Sequence, residues 1–478
     1  MIDCWIFIKK CDIFIKKCFK GVLIVIASIV LAAGKGTRMK SKIPKVLHEV
    51  SGKTLIGYVC EAASQVGIKE SVIVVGYKAD EIKAKLGDKF NYALQEEQLG
   101  TGHAVMQGEN YISQDIDTII VLCGDTPLLT GIALKKLLLH HQATKASATI
   151  LSAIISDPTN YGRVVRTPAG LVSKIVEEKD ASLTEKNINE INSGTYCFNK
   201  ELLFKALKEI TPENKQGEYY LTDVIEILVK NNQTVEAIPV ENPVEILGIN
   251  NRIQLAQAEK VIKNRVNERL MLEGVTIVDP EVTYIENSVE IGMDTVVFPF
   301  CHLKGNTKIG EDCLIGPNTT LENTVVDNST NIKNTIAIDA EIGSNCTIGP
   351  FSYLRPGTKL SDNVKVGDFV EMKKTFVDRN SKIPHLSYIG DCNIGENVNV
   401  GAGTITCNYD GKDKWQTILE DGSFIGSNTS LVAPVTIGKS ATIGAGSTIT
   451  GDVPAEALAV ARQKQRNILN WADKKKKL

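Results

Sequence analysis

From about residue 275 onward, aliphatic residues recur at every sixth position. Ile291, Val297, Leu303, Ile309, Ile315 and Leu321 form one run. Ile342, Ile348, Leu354, Leu360 and Val366 form a second, and Ile425, Leu431, Ile437, Ile443 and Ile449 a third. A period of six matches neither the heptad of a coiled coil nor the 3.6-residue turn of an α-helix. It matches a β-helix in which each hexapeptide forms one face of a triangular coil. The aliphatic side chain then points inward and stacks on its equivalent in the next coil, about 4.8 Å away. A glycine often follows the aliphatic residue, as at Gly292, Gly310, Gly316, Gly343, Gly349, Gly426, Gly438 and Gly444, and is expected to supply the corner conformations. A β-sandwich would instead show turn-punctuated strands every ~8–12 residues. The register lapses at 322–341, 367–388 and 402–424, which predicts loops projecting from the coil. His302 lies beside inward Leu303 in a regular run and is expected to face outward, whereas His385, next to Pro384, lies where the register fails.

The preceding half alternates strand-like and helix-like pieces. Val22–Leu31, Ser71–Val75, Thr118–Leu122, Ala148–Ile154 and Glu236–Pro239 are candidate strands, with helical patterns at Ile56–Val66 and Ile132–His141 between them. Such alternation implies an α/β domain with a Rossmann-like, mainly parallel sheet. Ligands in such sheets bind beyond the carboxyl ends of strands, where Gly34, Gly36, Gly124 and Asp125 fall. Between the halves, Leu255, Ala258, Ile262, Val266 and Leu270 make a narrow apolar helical stripe that Gly274 can stop. The expected organisation is an extension over 1–21, an α/β domain over 22–251, a helical arm over 252–274, a β-helix over 275–460 and a basic tail over 461–478.

Composition narrows the function classes. Lys and Arg total 54 against 56 Asp and Glu, a balance that argues against a nucleic-acid binder. Aromatic residues are 6%, too few for wide stacking platforms. The 11 cysteines contain no CxxC pair and read as reduced, mostly buried thiols of a cytoplasmic protein. No HExxH or Cys/His cluster suggests zinc. The first residues are basic, repeat IFIKKC, and run into an apolar stretch that imitates a signal peptide. That stretch is too short to span a membrane. It reads better as a buried strand ending in a Gly-rich turn, with residues 1–21 a tail or an upstream-assigned start.

The turn is Leu31-Ala32-Ala33-Gly34-Lys35-Gly36-Thr37-Arg38-Met39, followed by Pro44-Lys45. Its glycines let backbone amides approach an anion, and Arg38 and Lys45 can neutralise a triphosphate. There is no GxxxxGK[ST], so it is not a P-loop. Gln95-Glu-Glu-Gln-Leu-Gly100-Thr101-Gly-His-Ala104, Cys123-Gly-Asp125-Thr-Pro127, Tyr161-Gly162-Arg163, Glu177, Asn192-Ser-Gly194 and Gly248-Ile-Asn250-Asn251 follow in order. Together these segments resemble the signature of sugar-nucleotide pyrophosphorylases. With the six-residue repeat attached, roughly residues 22–465 resemble the bacterial bifunctional enzymes that acetylate glucosamine-1-phosphate and then uridylylate the product.

The resemblance implies the following. The β-helix, of roughly nine or ten turns by its repeat length, is left-handed, and the assembly is a homotrimer. Leu31, Ala32, Ala33, Gly34, Lys45, Gln95, Gly100, Thr101, Gly162, Glu177, Asn192 and Asn250 bind UTP and the UDP-sugar, with Gln95 and the Gly100-Thr101 backbone reading uracil. Thr195 joins Gly162, Glu177 and Asn192 in sugar selection. Asp125 and Asn250 hold Mg²⁺, a cation that prefers oxygen ligands. Arg38 and Lys45 stabilise charge during an in-line displacement that needs no strong base. In the repeat domain, His385 is the general base for acetyl transfer, an imidazole's unperturbed pKa of about 6.5 suiting it to the task. Arg355, Lys373, Tyr388, Asn399 and Lys414 bind the sugar phosphate. Ala402, Asn408, Tyr409, Ser427, Ala445 and Arg462 bind acetyl-coenzyme A, Lys464 and Arg466 could meet its phosphates, and Lys474–Lys477 is a solvated tail. Tyr388 and Asn408 are candidate oxyanion donors. No membrane or nucleic-acid partner is implied. The competing reading is a monofunctional nucleotidyltransferase whose β-helix serves only assembly. Pro384, before the base, departs from the family pattern and could alter its loop.

Overall fold

The computed structural model describes residues 25–475. The 1–21 extension, the first three residues of the expected opening strand and the end of the lysine run lie outside the described residues. The chain divides into two compact units, with the division after Val261.

In the first unit, β1 (Ile26–Ala32), β2 (Glu70–Val75), β3 (Asn91–Leu94), β4 (Thr118–Cys123), β5 (Ala148–Ile154), β6 (Arg163–Arg166), β7 (Val172–Val176), β8 (Glu190–Asn199) and β9 (Val235–Pro239) share one sheet. Its order is β9-β5-β8-β4-β1-β2-β3, with the β6–β7 hairpin attached to β8. β1 pairs in parallel with both β2 and β4, while β8 runs antiparallel to β4 and β5. The sheet is thus mainly parallel, as expected, with two reversed strands, β7 and β8, that the sequence pattern did not reveal. Successive residues feed opposite faces. Ile29, Val72, Val74 and Val121 enter one core, whereas Val30, Ile73, Val75 and Leu122 enter the other. A sheet buried on both faces needs helices on both. α1 (Leu55–Gln65), α2 (Ala79–Leu86), α3 (Thr101–Gln107), α4 (Gly131–Thr144), α5 (Lys200–Leu207) and α6 (Asp223–Lys230) supply that cover. α7 (Arg252–Leu272) forms over the apolar stripe, of which Ala258, Ile262, Val266 and Leu270 are buried.

In the second unit, parallel strands stack coil upon coil. A nine-stranded sheet forms one face and a 19-stranded sheet the remaining wall. Ile309, Val326, Ile342, Leu360, Val377, Ile394, Leu419 and Ile437 stack inward along the first face, each at most 4% exposed. The coil interior is not wholly aliphatic. Thr295, Thr330, Ser352 and Ser381 are buried at corners and donate to the Gly310, Gly343, Gly367 and Gly395 carbonyls of the next coil. Carbonyls turned into a bend would otherwise be buried without a partner.

Three expectations need correction here. First, most glycines after the inward residue do not set the corners. The left-handed corners are taken by Asp294, Phe300, Asp312, Asn345 and Asn363, among others, with Gly316 and Gly349 as exceptions. Gly310 and Gly426 are required for close approach instead. A Cβ there would lie 2.2 Å from Asn328 Oδ1 and 2.5 Å from the Ala445 amide nitrogen, respectively. Second, 322–341 projects no loop: its coils are a residue or two shorter and keep their ladder, Lys308 pairing Val325 and Val325 pairing Glu341. Third, 367–388 lies largely in two paired nine-residue strands, Lys365–Lys373 and Lys382–Gly390. Of the three lapses, only 402–424 carries an inserted loop, closed by the Tyr409–Lys414 bridge. The strand runs through Pro384, so that residue does not disturb a loop. The Pro384 carbonyl instead sits where a Cβ on Gly367 would fall. His302 faces outward as expected, with its ring stacked 5.1 Å from that of Tyr284.

Candidate active sites

In the first unit the chain leaves β1 through Leu31, Ala32, Ala33 and Gly34, and the Gly124 amide donates to the Leu31 carbonyl. That bond sets the β1 turn beside Asp125, just past β4. A short helical turn, Lys45–Leu47, follows Pro44 and aims Lys45 inward. The Lys45 ammonium donates to Asp125 Oδ2 and, at 3.1 Å, to Asn250 Oδ1. Arg38 donates to the same Asn250 oxygen at 2.9 Å. Asn250 is fixed in turn, because its amide donates to Gln254 Oε1 and the neighbouring Ile249 amide donates to the Asp125 carbonyl. One carboxylate and one amide oxygen therefore converge on a point that a side-chain cation fills. That donor set fits Mg²⁺, which takes one or two protein oxygens and completes its shell with phosphates and water. Among the described residues no group of three or more His, Cys, Asp or Glu is placed to hold a metal.

Gln95 follows β3 and is 3% exposed. Its Nε2 donates to the Gly100 carbonyl at 3.1 Å and lies 3.1 Å from His103 Nδ1. Gly100 has φ 117°, and a Cβ there would lie 2.5 Å from the Tyr219 carbonyl oxygen. The Thr101 hydroxyl accepts from the Leu221 amide, tying α3 to the 219–221 strap. Gly162, Glu177 and Asn192 come together: a Cβ on Gly162 would lie 3.5 Å from both Glu177 Oε2 and Asn192 Cβ. Burial pushes the Glu177 carboxyl above the usual range, against a hydrogen bond from Thr222 that lowers it. The Asn192 amide donates to the Tyr196 hydroxyl and accepts from the Gly194 amide, which leaves fewer contacts for a sugar. Thr195, 1% exposed, follows the register shift of β8 against β5 between Asn192 and Thr195.

In the second unit, Asp368 and His385 are register partners on the two long strands. His385 Nδ1 lies 2.8 Å from Asp368 Oδ1, and the ring is 59% exposed. The hydrogen bond from His385 holds the Asp368 carboxyl below its ordinary value. Sequence reading missed Asp368, which lies 17 residues from its partner. Lys373 is held below its ordinary value first by Lys414 and then, after a small burial effect, by Arg355. Three cations crowded in this way favour an anion. Glu371, also missed, accepts from Arg355 at 2.7 Å. Tyr388 Oη and Asn408 Nδ2 converge over Gly390, where a Cβ would lie 2.6 and 2.8 Å from them. Asn408 donates to Asp391.

Asn399 precedes the line of small residues. Lys382, Asn399, Phe424 and Thr442 are stacked partners, so Ala402, Ser427 and Ala445 occupy one register position on three successive coils. The Asn428 amide donates to Ala402 and the Gly446 amide to Ser427, which locks that line. Arg462 Cδ would lie 3.7 Å from a Cβ on Gly446, at the end of the same line. Tyr409 is exposed on the inserted loop, and Lys464 and Arg466 are exposed beyond the last coil. The described cysteines carry free thiols, and burial pushes Cys60 up to about 12 and Cys346 up to about 11.

Comparison with known proteins agrees with this division. Residues 27–242 match the nucleotidyl transferase family. Residues 288–323 and 416–451 match the bacterial transferase hexapeptide, and 340–367 the hexapeptide repeat of succinyl-transferase. The bifunctional protein GlmU of Heliobacterium modesticaldum is 52% identical over 450 residues, covering 94% of this chain and 98% of that one. Its counterpart in Clostridioides difficile is 48% identical over 448 residues, covering 94% and 97%.

Proposed function

The chain belongs to the bifunctional GlmU family, and from that premise we propose how its residues divide the work of making UDP-N-acetylglucosamine. It is a bifunctional enzyme, an acetyltransferase and a uridylyltransferase. The observation that carries the assignment is that each unit assembles its own constellation, Arg38–Lys45–Asp125–Asn250 in one and Asp368–His385 in the other. A β-helix kept only for assembly has no need of the second set.

For acetyl transfer, Arg355, Lys373 and Lys414 hold the phosphate of glucosamine-1-phosphate. Asp368 takes the Nδ1 proton of His385 in a hydrogen bond, which leaves the Nε2 lone pair free to remove the amine proton. The amine attacks the thioester carbonyl, Tyr388 or Asn408 donates to the oxyanion, and the coenzyme A thiolate leaves. Ala402, Ser427 and Ala445 leave room for the pantetheine arm, and Arg462 meets its phosphates.

For uridylyl transfer, an oxygen of N-acetylglucosamine-1-phosphate attacks the α-phosphorus of UTP and pyrophosphate leaves in line. Asp125 and Asn250 would hold Mg²⁺, which would supply charge neutralisation at the phosphates. Lys45 and Arg38 pair with phosphate oxygens. Gln95 meets uracil, and Glu177 accepts from sugar hydroxyls. The coil is left-handed, the assembly a homotrimer and the location the cytoplasm. No described helix is long and apolar enough to cross a membrane.

One assay tests the reading. Purified protein receives glucosamine-1-phosphate, acetyl-coenzyme A, UTP and Mg²⁺, and thiol and pyrophosphate release are followed separately. Wild type should release both. His385→Ala should release pyrophosphate only when supplied with N-acetylglucosamine-1-phosphate. Pyrophosphate without thiol from wild type would make the β-helix a scaffold.

A further inference from the structure

Both ring nitrogens of His103 face an amide nitrogen. Nδ1 lies 3.1 Å from Gln95 Nε2, and Nε2 lies 3.2 Å from Gln107 Nε2. A neutral imidazole has one N–H and one lone pair, so it can accept from only one of them. One amide must therefore present its oxygen instead, since the two ends of a Gln amide are assigned from their partners.

The surroundings decide which. Gln95 Nε2 also donates to the Gly100 carbonyl at 3.1 Å, and a turned amide would set oxygen against oxygen there. That carbonyl cannot retreat easily. Its residue is pressed against Tyr219, whose amide donates to Leu99 and whose carbonyl accepts from Gly102. Gln107 is held only by a 3.3 Å contact to the carbonyl of His103, one turn back on the same helix. So Gln107 turns, His103 carries its proton on Nε2, and Nδ1 accepts from Gln95. Two acceptors then occupy Gln95 Nε2, and Oε1 has no hydrogen-bond partner among the described residues.

We propose that His103, as the Nε2–H tautomer, is a positioning residue that fixes Gln95 as a hydrogen-bond acceptor and so makes the nucleotide site select a pyrimidine bearing N3–H. Uracil offers that proton. Cytosine offers a lone pair at the same position, which would face Oε1 unpaired, and an unpaired buried polar group is strongly rejected. The inference rests on the reading that Gln95 meets the base.

The test is the ratio of kcat/KM for UTP over CTP in uridylyl transfer. His103→Ala removes the side-chain acceptor and should lower the ratio about tenfold, the worth of one hydrogen bond. His103→Asn places an amide oxygen near the Nδ1 position and should keep the ratio close to wild type. A loss of selectivity only in His103→Ala supports the proposal. Unchanged ratios in both variants overturn it, and so does an equal loss in both, which would mean the ring merely fills space. Gln95→Ala separates the premise: if it leaves KM for UTP unchanged, the base-reading assignment fails instead.

Discussion

Gly36→Ala should disable uridylyl transfer by displacing Lys45. Gly36 has φ 61°, in the left-handed region, and caps the short helical turn that carries Arg38. An added Cβ would lie 2.5 Å from Lys45 Cβ, 3.3 Å from its Cγ and 3.4 Å from its Cδ. Two terms follow. The left-handed backbone costs an alanine about 1–2 kcal/mol. Carbon atoms pack at about 3.5–4.0 Å, so the first contact must open by about 1 Å. Backbone bonds from Leu47 to Pro44 and from His48 to Lys45 hold the Lys45 turn. Lys45 Cβ is fixed to that backbone, so the whole Lys45 turn must shift against those bonds, and the ammonium leaves the Asp125–Asn250 pair. A displacement of that size costs about 10²-fold in rate. Gly67→Ala is the control: Gly67 has φ 84° with nothing within 4 Å of its would-be Cβ. Both variants should lower Tm by about 2–4 °C. Only Gly36→Ala should lose uridylyl transfer, with acetyl transfer by the second unit as an internal reference. If its kcat/KM stays within about threefold of that of Gly67→Ala, a 1 Å placement of Lys45 does not govern the rate.

Three other outcomes follow from the geometry. Asp368→Ala should lower kcat for acetyl transfer by about tenfold with little change in KM for glucosamine-1-phosphate, because it removes the acceptor that fixes the His385 tautomer; steady-state kinetics with thiol detection would show it. Chelating divalent metal, or Asp125→Asn, should remove pyrophosphate release while leaving thiol release intact, and a metal titration of the variant would need higher Mg²⁺. Burial, then the charges of Glu226 and Asp180, push the Asp223 carboxyl up to about 6 from the 3.8 of an ordinary aspartate. Between those values the folded state holds a proton that the unfolded state has released, so this group makes stability fall as pH rises, levelling off above about 6. Asp223→Asn should therefore be more stable than wild type at pH 7, by about 1 kcal/mol once solvent screening is allowed for, and no more stable at pH 3, as urea unfolding at both pH values would reveal.

What could be read from the sequence follows from what local pattern encodes. The six-residue period reports which side chains face inward, and Ile309, Val377 and Ile437 duly do. It cannot report the corners, where Asn and Asp adopt the left-handed conformation and buried hydroxyls donate across coils. Nor does it anticipate coils of unequal length, which is why 322–341 and 367–388 were expected to project as loops. β8 escaped notice because Glu190, Asn192 and Ser193 interrupt its apolar pattern. At the sites, motif residues such as Lys45, Asp125 and Asn250 meet across more than 200 positions because strand ends gather them. Asp368 belongs to no motif, and only the ladder pairs it with His385. His103 lies inside the quoted base-reading segment, yet its role depends on two amides and a carbonyl that spacing alone does not bring into contact.

The unequal coils have a further consequence. Lys308 pairs with a residue 17 positions on and Val325 with one 16 on, whereas Asn393 pairs with Ile418, 25 positions on. The ladder resumes after each irregularity, since Ile418 pairs with Thr436 in ordinary 18-residue spacing. Each coil therefore behaves as a separately addressable cassette. A segment such as the loop that carries Tyr409 can be lengthened, trimmed or exchanged within one cassette while the coils before and after keep their own stacking. Descent with insertion, or deliberate grafting, can reshape the proposed acyl-donor channel without renegotiating the wall that supports it.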